Sequence, residues 1–433
     1  MKKHHLVFYG WFIVATGMVV TALGYGARYS FSVIFPALLD DFQWPRDVTA
    51  AMLSVHLLIY GFVAPVAGGL VDKIGPRRIM VFGVMLLASG LALSGWGSEP
   101  WHFYLSYGVL SGIGLCLTGA VPFVVIVGKW FERRRGLAFS LLFSGAGLAV
   151  AFYPVVAFLI DGVGWRNTFF VEAITIAAVA LPIIITVVRY HPREKGLVRD
   201  GIEQSRETSS DTVMQELRIR DKAWVATDWT FAKAARTSRL WLLYLATFSV
   251  WGVTEHILLA HHVAFAIDVG YSSIYASSVL ALYGFLCSGG SLVALMSDRI
   301  GRENTMTIGT IMGISGIITL MFIQDTSHPW MLYYYAAAFG FGLGIVSPTI
   351  AAAATDIFQG AKVGTIIGFV WFGFSVGGTI GPWLGGWVFE HTGSYLIAFI
   401  VAAVLFAASC AAIWLAEPRK VRLVPGKIRY ESP

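Results

Sequence analysis

Charge and cysteine are both scarce in this chain. Of its 433 residues only 13% are Asp, Glu, Lys or Arg, against 57% that are hydrophobic. So little charge cannot clothe a water-soluble globule, and the mean hydropathy of +0.70 points to a chain embedded in lipid. The three cysteines, Cys116, Cys287 and Cys410, fall singly in separate apolar runs, which excludes a disulfide framework and gives no metal site. No glycine-rich loop ending in Lys-Ser or Lys-Thr occurs, so ATP-driven work by this chain alone is disfavoured. Metalloprotease and nucleophile-elbow signatures are missing too. The expectation is a protein that is not an enzyme, with no metal and no cofactor.

What is abundant is long apolar sequence. Runs of about 20 residues or more, enough to span a bilayer as helix, recur twelve times. They lie near residues 9–35, 49–71, 79–97, 102–128, 137–160, 168–188, 240–266, 273–297, 305–323, 330–355, 363–389 and 395–416. The opening "MKKHH" before an apolar run looks like a signal peptide, but the run continues to Arg28 without a small-residue cleavage site and reads as a retained span. Alternate loops differ sharply in basic charge. With both termini placed in the cytoplasm, 28 Lys/Arg lie inside and two, Arg46 and Arg166, outside. The positive-inside rule selects that orientation. It also accounts for the net charge of +6, with no need for nucleic-acid binding.

Residues 189–239 break the hydrophobic pattern with 11 basic and 8 acidic side chains. The chain thus divides into 1–188, a cytoplasmic linker at 189–239, 240–416 and a tail at 417–433. Two sets of six spans suggest a duplicated transporter. The repeat is visible: "GGLVDKIGPRR" (68–78) after span two matches "SLVALMSDRIGR" (291–302) after span eight, 226 residues later from Asp72 to Asp298. In each, glycine permits a tight turn and the carboxylate can cap the next helix or pair with a basic side chain. Asp72, Arg77, Arg78, Asp298 and Arg302 are expected to brace a closed cytoplasmic gate; setting topology alone is the alternative.

This pair of loops resembles the motif of the major facilitator superfamily, over nearly the whole chain. Three stretches are similar to monocarboxylate transporters and their bacterial relatives, the oxalate/formate exchangers included: "YGW" (9–11), "WFERRRGLAFSLLFSGAGLA" (130–149) and "AARTSRLWLLY" (234–244). In the second, Arg133, Arg134 and Arg135 anchor a helix end, and Gly145 and Gly147 permit close helix contact. The resemblance implies an all-α membrane protein of about twelve transmembrane helices in two six-helix bundles. It implies a central cavity lined by spans 1, 4, 7 and 10, and alternating access. It also fits a monomer whose partners are a small organic anion, protons and the bilayer.

One basic residue, Arg28, lies deep inside a span, about 26 Å along a helix starting near Trp11. A guanidinium there costs several kcal/mol unless it faces protein or water, so Arg28 is a functional candidate. Span seven carries Glu255, His256, His261 and His262, with Glu255 about 22 Å along from Leu240 and read as the only deep acid. Arg28 is expected to hold a substrate carboxylate as a bidentate fork, with Tyr25 and Tyr29 nearby. Glu255, His256 or His262 would take a proton. A structural Arg28–Glu255 ion pair is the competing reading. His56 and Tyr60, four apart on span two, extend the site or only pack helices; Tyr283, Tyr335 and Trp371 offer an aromatic wall. His261 is expected near the outer surface.

The resemblance fails in span eight. Monocarboxylate transporters generally carry an Asp and an Arg there, four apart, whereas "GFLCSGGSLVAL" (284–295) puts Cys287 and Ser291 near those positions. The charge has moved to spans one and seven. The leading expectation is a proton-coupled symporter of monocarboxylate-like organic acids in a bacterial inner membrane. An organic anion exchanger and an amphiphile efflux carrier are the alternatives.

Overall fold

A computed structural model describes residues 8–131, 135–150, 152–199, 218–359 and 363–424. Among them the chain is almost wholly helical, with one isolated antiparallel bridge, Ile219 to Arg422, outside the helices. Eleven segments are long and apolar enough to cross a membrane. One of these, Leu137–Val187, has 51 residues, about 76 Å as helix and more than two bilayer cores. Within its second helix, Tyr153–Val187, Gly164 breaks the helical geometry with φ +81°. That segment therefore accounts for two crossings, in keeping with twelve apolar runs.

Chain contacts divide the molecule into two compact units. The first comprises residues 1–38 and 55–206; the second, residues 39–54 and 207–433. Residues 39–54, the start of span two, pack with the second unit, and so does the described end of the linker.

In the first unit, helix Gly10–Tyr29 packs on Arg135–Val150 and Tyr153–Val187. Helix Pro76–Gly95 lies on Ser111–Thr118 and on Tyr153–Val187. Glycine makes this approach possible: a Cβ at Gly114 would strike the Leu87 backbone, and one at Gly145 the Met18 carbonyl. In the second unit, Trp330–Ile357 lies against both Ser273–Val293 and Arg302–Met321. Gly309 and Gly342 face each other there, so that each would push a Cβ into the other's carbonyl.

The duplicated turns match in conformation. Gly75 has φ +90° and Gly301 φ +102°, a left-handed geometry natural to glycine, and each ends one helix and starts the next. Each half also holds a seven-residue π-helical stretch, Tyr104–Leu110 and Phe248–Thr254. Such wide turns often accompany functional residues.

Linker residues fold onto the second unit. Thr230 and Asp221 cap the short helices Phe231–Ala234 and Lys222–Ala226. The Trp224 indole donates to the Ile357 carbonyl and packs near Trp229 and Phe358. Trp224 and Trp229 anchor this part of the linker there.

Candidate functional site

In the first unit, Arg28 is fully buried, and its Nε, Nη1 and Nη2 make no hydrogen bond among the described residues. The guanidinium sits over two phenol rings, 4.7 Å from the Tyr25 centroid and 4.4 Å from that of Tyr60. The two hydroxyls share a hydrogen bond of 3.3 Å, which fixes the rings beside the cation. The Tyr25 ring faces Arg28 and its hydroxyl is turned to Tyr60. Tyr29 packs beside Tyr25, centroids 5.9 Å apart.

Tyr107, on the π-helical stretch, donates to the Arg28 carbonyl at 2.6 Å. His56 Nδ1 donates to the Tyr107 carbonyl at 3.0 Å, and the two rings lie 5.2 Å apart. The structure thus joins Arg28, Tyr25, Tyr29, Tyr60 and His56 in one unit and adds Tyr107. Nothing in the sequence distinguished Tyr107 from other aromatics.

Glu172 is a second residue missed from sequence. In the sequence, position 172 follows closely on the start of the apolar run at 168 and so looks like a span end. Measured from the break at Gly164, Glu172 lies eight residues in, about 12 Å along the helix. Glu255 is therefore not the only acid well inside a span.

In the second unit, Tyr283 donates to Glu255 Oε1 at 3.1 Å. Cys287 and Tyr335 lie within electrostatic reach of the same carboxyl. The Tyr335 ring stacks on His262, centroids 5.4 Å apart. His262 Nε2 donates to the Ala276 carbonyl at 3.2 Å; its Nδ1 and the Tyr335 hydroxyl are buried with no hydrogen bond among the described residues. His256 turns back, Nδ1 donating to the Trp251 and Gly252 carbonyls of the π-helical stretch. Trp371 packs with Trp251, one turn before Glu255.

His261 departs from expectation. It is 1% exposed, with Nε2 donating to the Pro382 carbonyl at 2.7 Å and Nδ1 facing the Tyr395 hydroxyl at 3.2 Å. Hydration does not explain it. Packing of span seven against helix Val363–Thr392 does, because Gly385 leaves room for the ring.

At the second repeated turn, Arg302 bridges Asp298 at 2.8 Å and Asp356 at 2.8 Å. Arg218 of the linker joins Asp356 at 3.3 Å. Asp298 pairs with a basic residue and does not cap the next helix. At the first turn, Arg77 donates to the Val188 carbonyl at 2.9 Å and Arg78 is exposed. The side chains of Asp72 and Arg135, together with Arg133 and Arg134, lie outside the described residues.

Helices of membrane-crossing length, a twofold repeat and a buried cation with no ion pair among the described residues define a polytopic membrane carrier. The Major Facilitator Superfamily profile matches residues 17–369 and again 268–430, and the chain belongs to that family. It is 25% identical to monocarboxylate transporter 13 of Rattus norvegicus, over 92% of this chain and 87% of the relative. It is 26% identical to the uncharacterized transporter YcxA of Bacillus subtilis strain 168, covering 92% and 93%. In fold it is similar to a bacterial homolog of the human lysosomal transporter Spinster, with a TM-score of 0.70 at 15% identity, covering 96% and 98%. The protein is a multi-pass membrane transporter of this superfamily, and its relatives are transporters rather than enzymes.

Proposed function

We propose that this chain is a secondary active carrier of organic acids, monocarboxylate-like anions, that moves them with protons by alternating access. The observation that carries this reading is Arg28: a permanent cation, wholly buried, braced by two aromatic rings and with every guanidinium donor unused among the described residues. A carboxylate supplies the acceptors those donors lack, and does so in the planar, bidentate geometry that suits arginine. An arginine with no counter-charge among the described residues favours an anion over a cationic amphiphile, which sets efflux of cations behind. The monocarboxylate transporters among the relatives support the same substrate class.

Coupling is assigned to Glu255, His262 and His256. Glu255 lies beside Cys287, near the position where the family's span-eight acid is expected, so its carboxyl can serve the same place from span seven. Tyr25, Tyr29, Tyr60 and His56 shape the anion site in the first unit; Tyr283, Tyr335 and Trp371 shape the surroundings of Glu255. The clusters at Asp298 and Arg302, and at Asp72, Arg77 and Arg78, are assigned to gating on the cytoplasmic side. The protein works as a monomer in a bacterial inner membrane with both termini cytoplasmic.

The test is uptake of labelled acetate, lactate, oxalate and benzoate by purified protein in liposomes, with and without an inward proton gradient. Wild type should accumulate at least one acid, and Arg28→Gln should lower its uptake at least tenfold, the loss of a charge-assisted pair of about 1.5–3 kcal/mol. Acid movement only against a counter-loaded anion would favour the exchanger. Normal transport by Arg28→Gln would remove the site.

A further inference from the structure

We propose that a basic cleft in the second unit, formed where the linker meets the tail, binds the phosphate headgroup of an anionic phospholipid. Its five cations are Arg220 and Lys222 of the linker, Arg239 at the start of helix Ser238–Thr247, and Arg419 and Lys420 just past helix Leu396–Ala416. The cleft has a volume of about 890 Å³, within the range of sites that hold small molecules.

Backbone pairing brings these cations together. The Val421 carbonyl accepts from the amides of Arg220 and Asp221 at 3.0 and 3.3 Å, and the Leu423 amide donates to the Arg218 carbonyl at 2.7 Å. Like charges on two paired segments are thereby held side by side, which costs free energy that a bound anion offsets. Acids relieve part of it. Lys420 pairs with Glu417 at 2.6 Å and Arg419 approaches Glu303 at 3.8 Å, while the Asp221 carboxylate accepts from the Trp224 amide at 2.9 Å. Arg220, Lys222 and Arg239 form no ion pair among the described residues.

Arg239 is held in place without an acid. Its Nε donates to the Ala416 carbonyl at 3.2 Å, at the end of the last long helix, and its guanidinium lies over the Trp224 ring, 4.1 Å from the centroid. These two contacts fix the plane of the fork and leave both Nη groups for phosphate oxygens.

The surface beside the cleft selects a lipid. An adjoining cleft of about 450 Å³ shares Asp221 and Arg239 and is lined by Leu415, which is 67% exposed. Leu415 ends an exposed apolar stripe, Ile400, Val404, Ala411 and Leu415, along one face of helix Leu396–Ala416. Helix Ser238–Thr247 packs on that helix and adds Trp241 and Leu245, both exposed and four residues apart. On a helix of membrane-crossing length such a face meets acyl chains, and tryptophan marks the headgroup level. Cations at the end of this face fit a molecule with an anionic head and apolar tails; a soluble phosphate fits the cations alone.

The experiment is native mass spectrometry of the purified full chain in nonionic detergent, titrated with dioleoyl phosphatidylglycerol, dioleoyl phosphatidylcholine or glycerol phosphate. Wild type should retain one phosphatidylglycerol at least about tenfold more tightly than either of the others. Arg220→Gln combined with Lys222→Gln should weaken that binding at least about tenfold, at roughly fivefold for each cation removed near a headgroup. Lys233→Gln combined with Arg236→Gln takes the same charge from linker positions outside the cleft and should stay within about twofold of wild type. Should the first pair not be recovered folded, Lys222→Gln alone should weaken binding at least about threefold. Unchanged affinity in the cleft variants, equal loss in both pairs, or no preference over phosphatidylcholine overturns the site. Glycerol phosphate bound as tightly as phosphatidylglycerol overturns the lipid and makes the ligand a soluble phosphate. No transported acid enters the measurement, so its outcome is separate from that of Arg28→Gln.

Discussion

The Arg28 guanidinium, which touches two aromatic faces and no acceptor among the described residues, recovers only part of what its burial costs. Each desolvated cation–π contact contributes about 1–2 kcal/mol, against a burial penalty of several. Tyr60 should therefore matter through its ring while Arg28 is present. Tyr60→Phe removes only the 3.3 Å hydroxyl contact to Tyr25 and should lower stability by less than about 1 kcal/mol. Tyr60→Leu removes the face under Arg28 and should cost about 1–2 kcal/mol more in the wild-type background than in Arg28→Met, a difference that isolates the cation–π term from lost volume. Thermal unfolding of the four purified combinations measures it; equal costs in both backgrounds would show that the ring is only packing. At this scale the sequence was informative where chemistry is rare. A lone arginine in an apolar run declares itself, as did Glu255. Tyr107 did not, because its role lies in a hydroxyl aimed at the Arg28 carbonyl, and aromatics are 14% of the chain. Asp356 and Arg218 were missed for another reason: the ion pairs to Arg302 and between them join positions far apart in sequence.

Helices in lipid gain little from the hydrophobic effect between themselves, so their contacts depend on close approach of backbones. Helix Ser273–Val293 provides an internal comparison. Gly290 faces helix Trp330–Ile357, where an added Cβ would strike the Phe341 carbonyl and lie 3.1 Å from the Gly344 Cα. Gly289, its neighbour, has nothing within 4 Å. Gly290→Ala should destabilise by about 1–3 kcal/mol through overpacking. Gly289→Ala should be neutral or gain up to about 1 kcal/mol from helix propensity. Unfolding midpoints of the two variants in one detergent decide it, and a loss in both would mean that the contact is not specific. Such facing is invisible in a run where glycine recurs without strict period, whereas the number of crossings and the duplicated turns were legible. Hydropathy counts turns of helix, and Gly75 and Gly301 carry a conformational demand that marks them in the sequence. The π-helical stretches before Ser111 and Glu255 had no such mark. Their wider turns carry Tyr107 and offer the Trp251 and Gly252 carbonyls to His256.

For the whole molecule, the open physical question is which face meets the cytoplasm, and the orientation we propose rests on charge. The 28 basic residues assigned to one side against two on the other make the reverse orientation costly at every inner loop. Arg46 and Arg166, the two basic residues that the proposed orientation puts outside, are both engaged. Arg46 forms a 2.7 Å ion pair with Asp268 and packs over Phe389, and Arg166 donates to backbone carbonyls. Neither is a free cation of the kind that holds a loop on the cytoplasmic side. In a variant with Cys116, Cys287 and Cys410 replaced by serine, a cysteine at Ser98 or Thr326 should react with a membrane-impermeant maleimide in intact cells. A cysteine at Asp228 should react only after the membrane is opened. The residues chosen lie in turns outside the long helices, so labelling reports the side of the membrane and not helix packing. Reaction of Asp228→Cys in intact cells, with Ser98→Cys protected, would invert the topology. It would also move the Arg302–Asp356–Arg218 cluster to the outer surface, where an assignment to cytoplasmic gating could not stand.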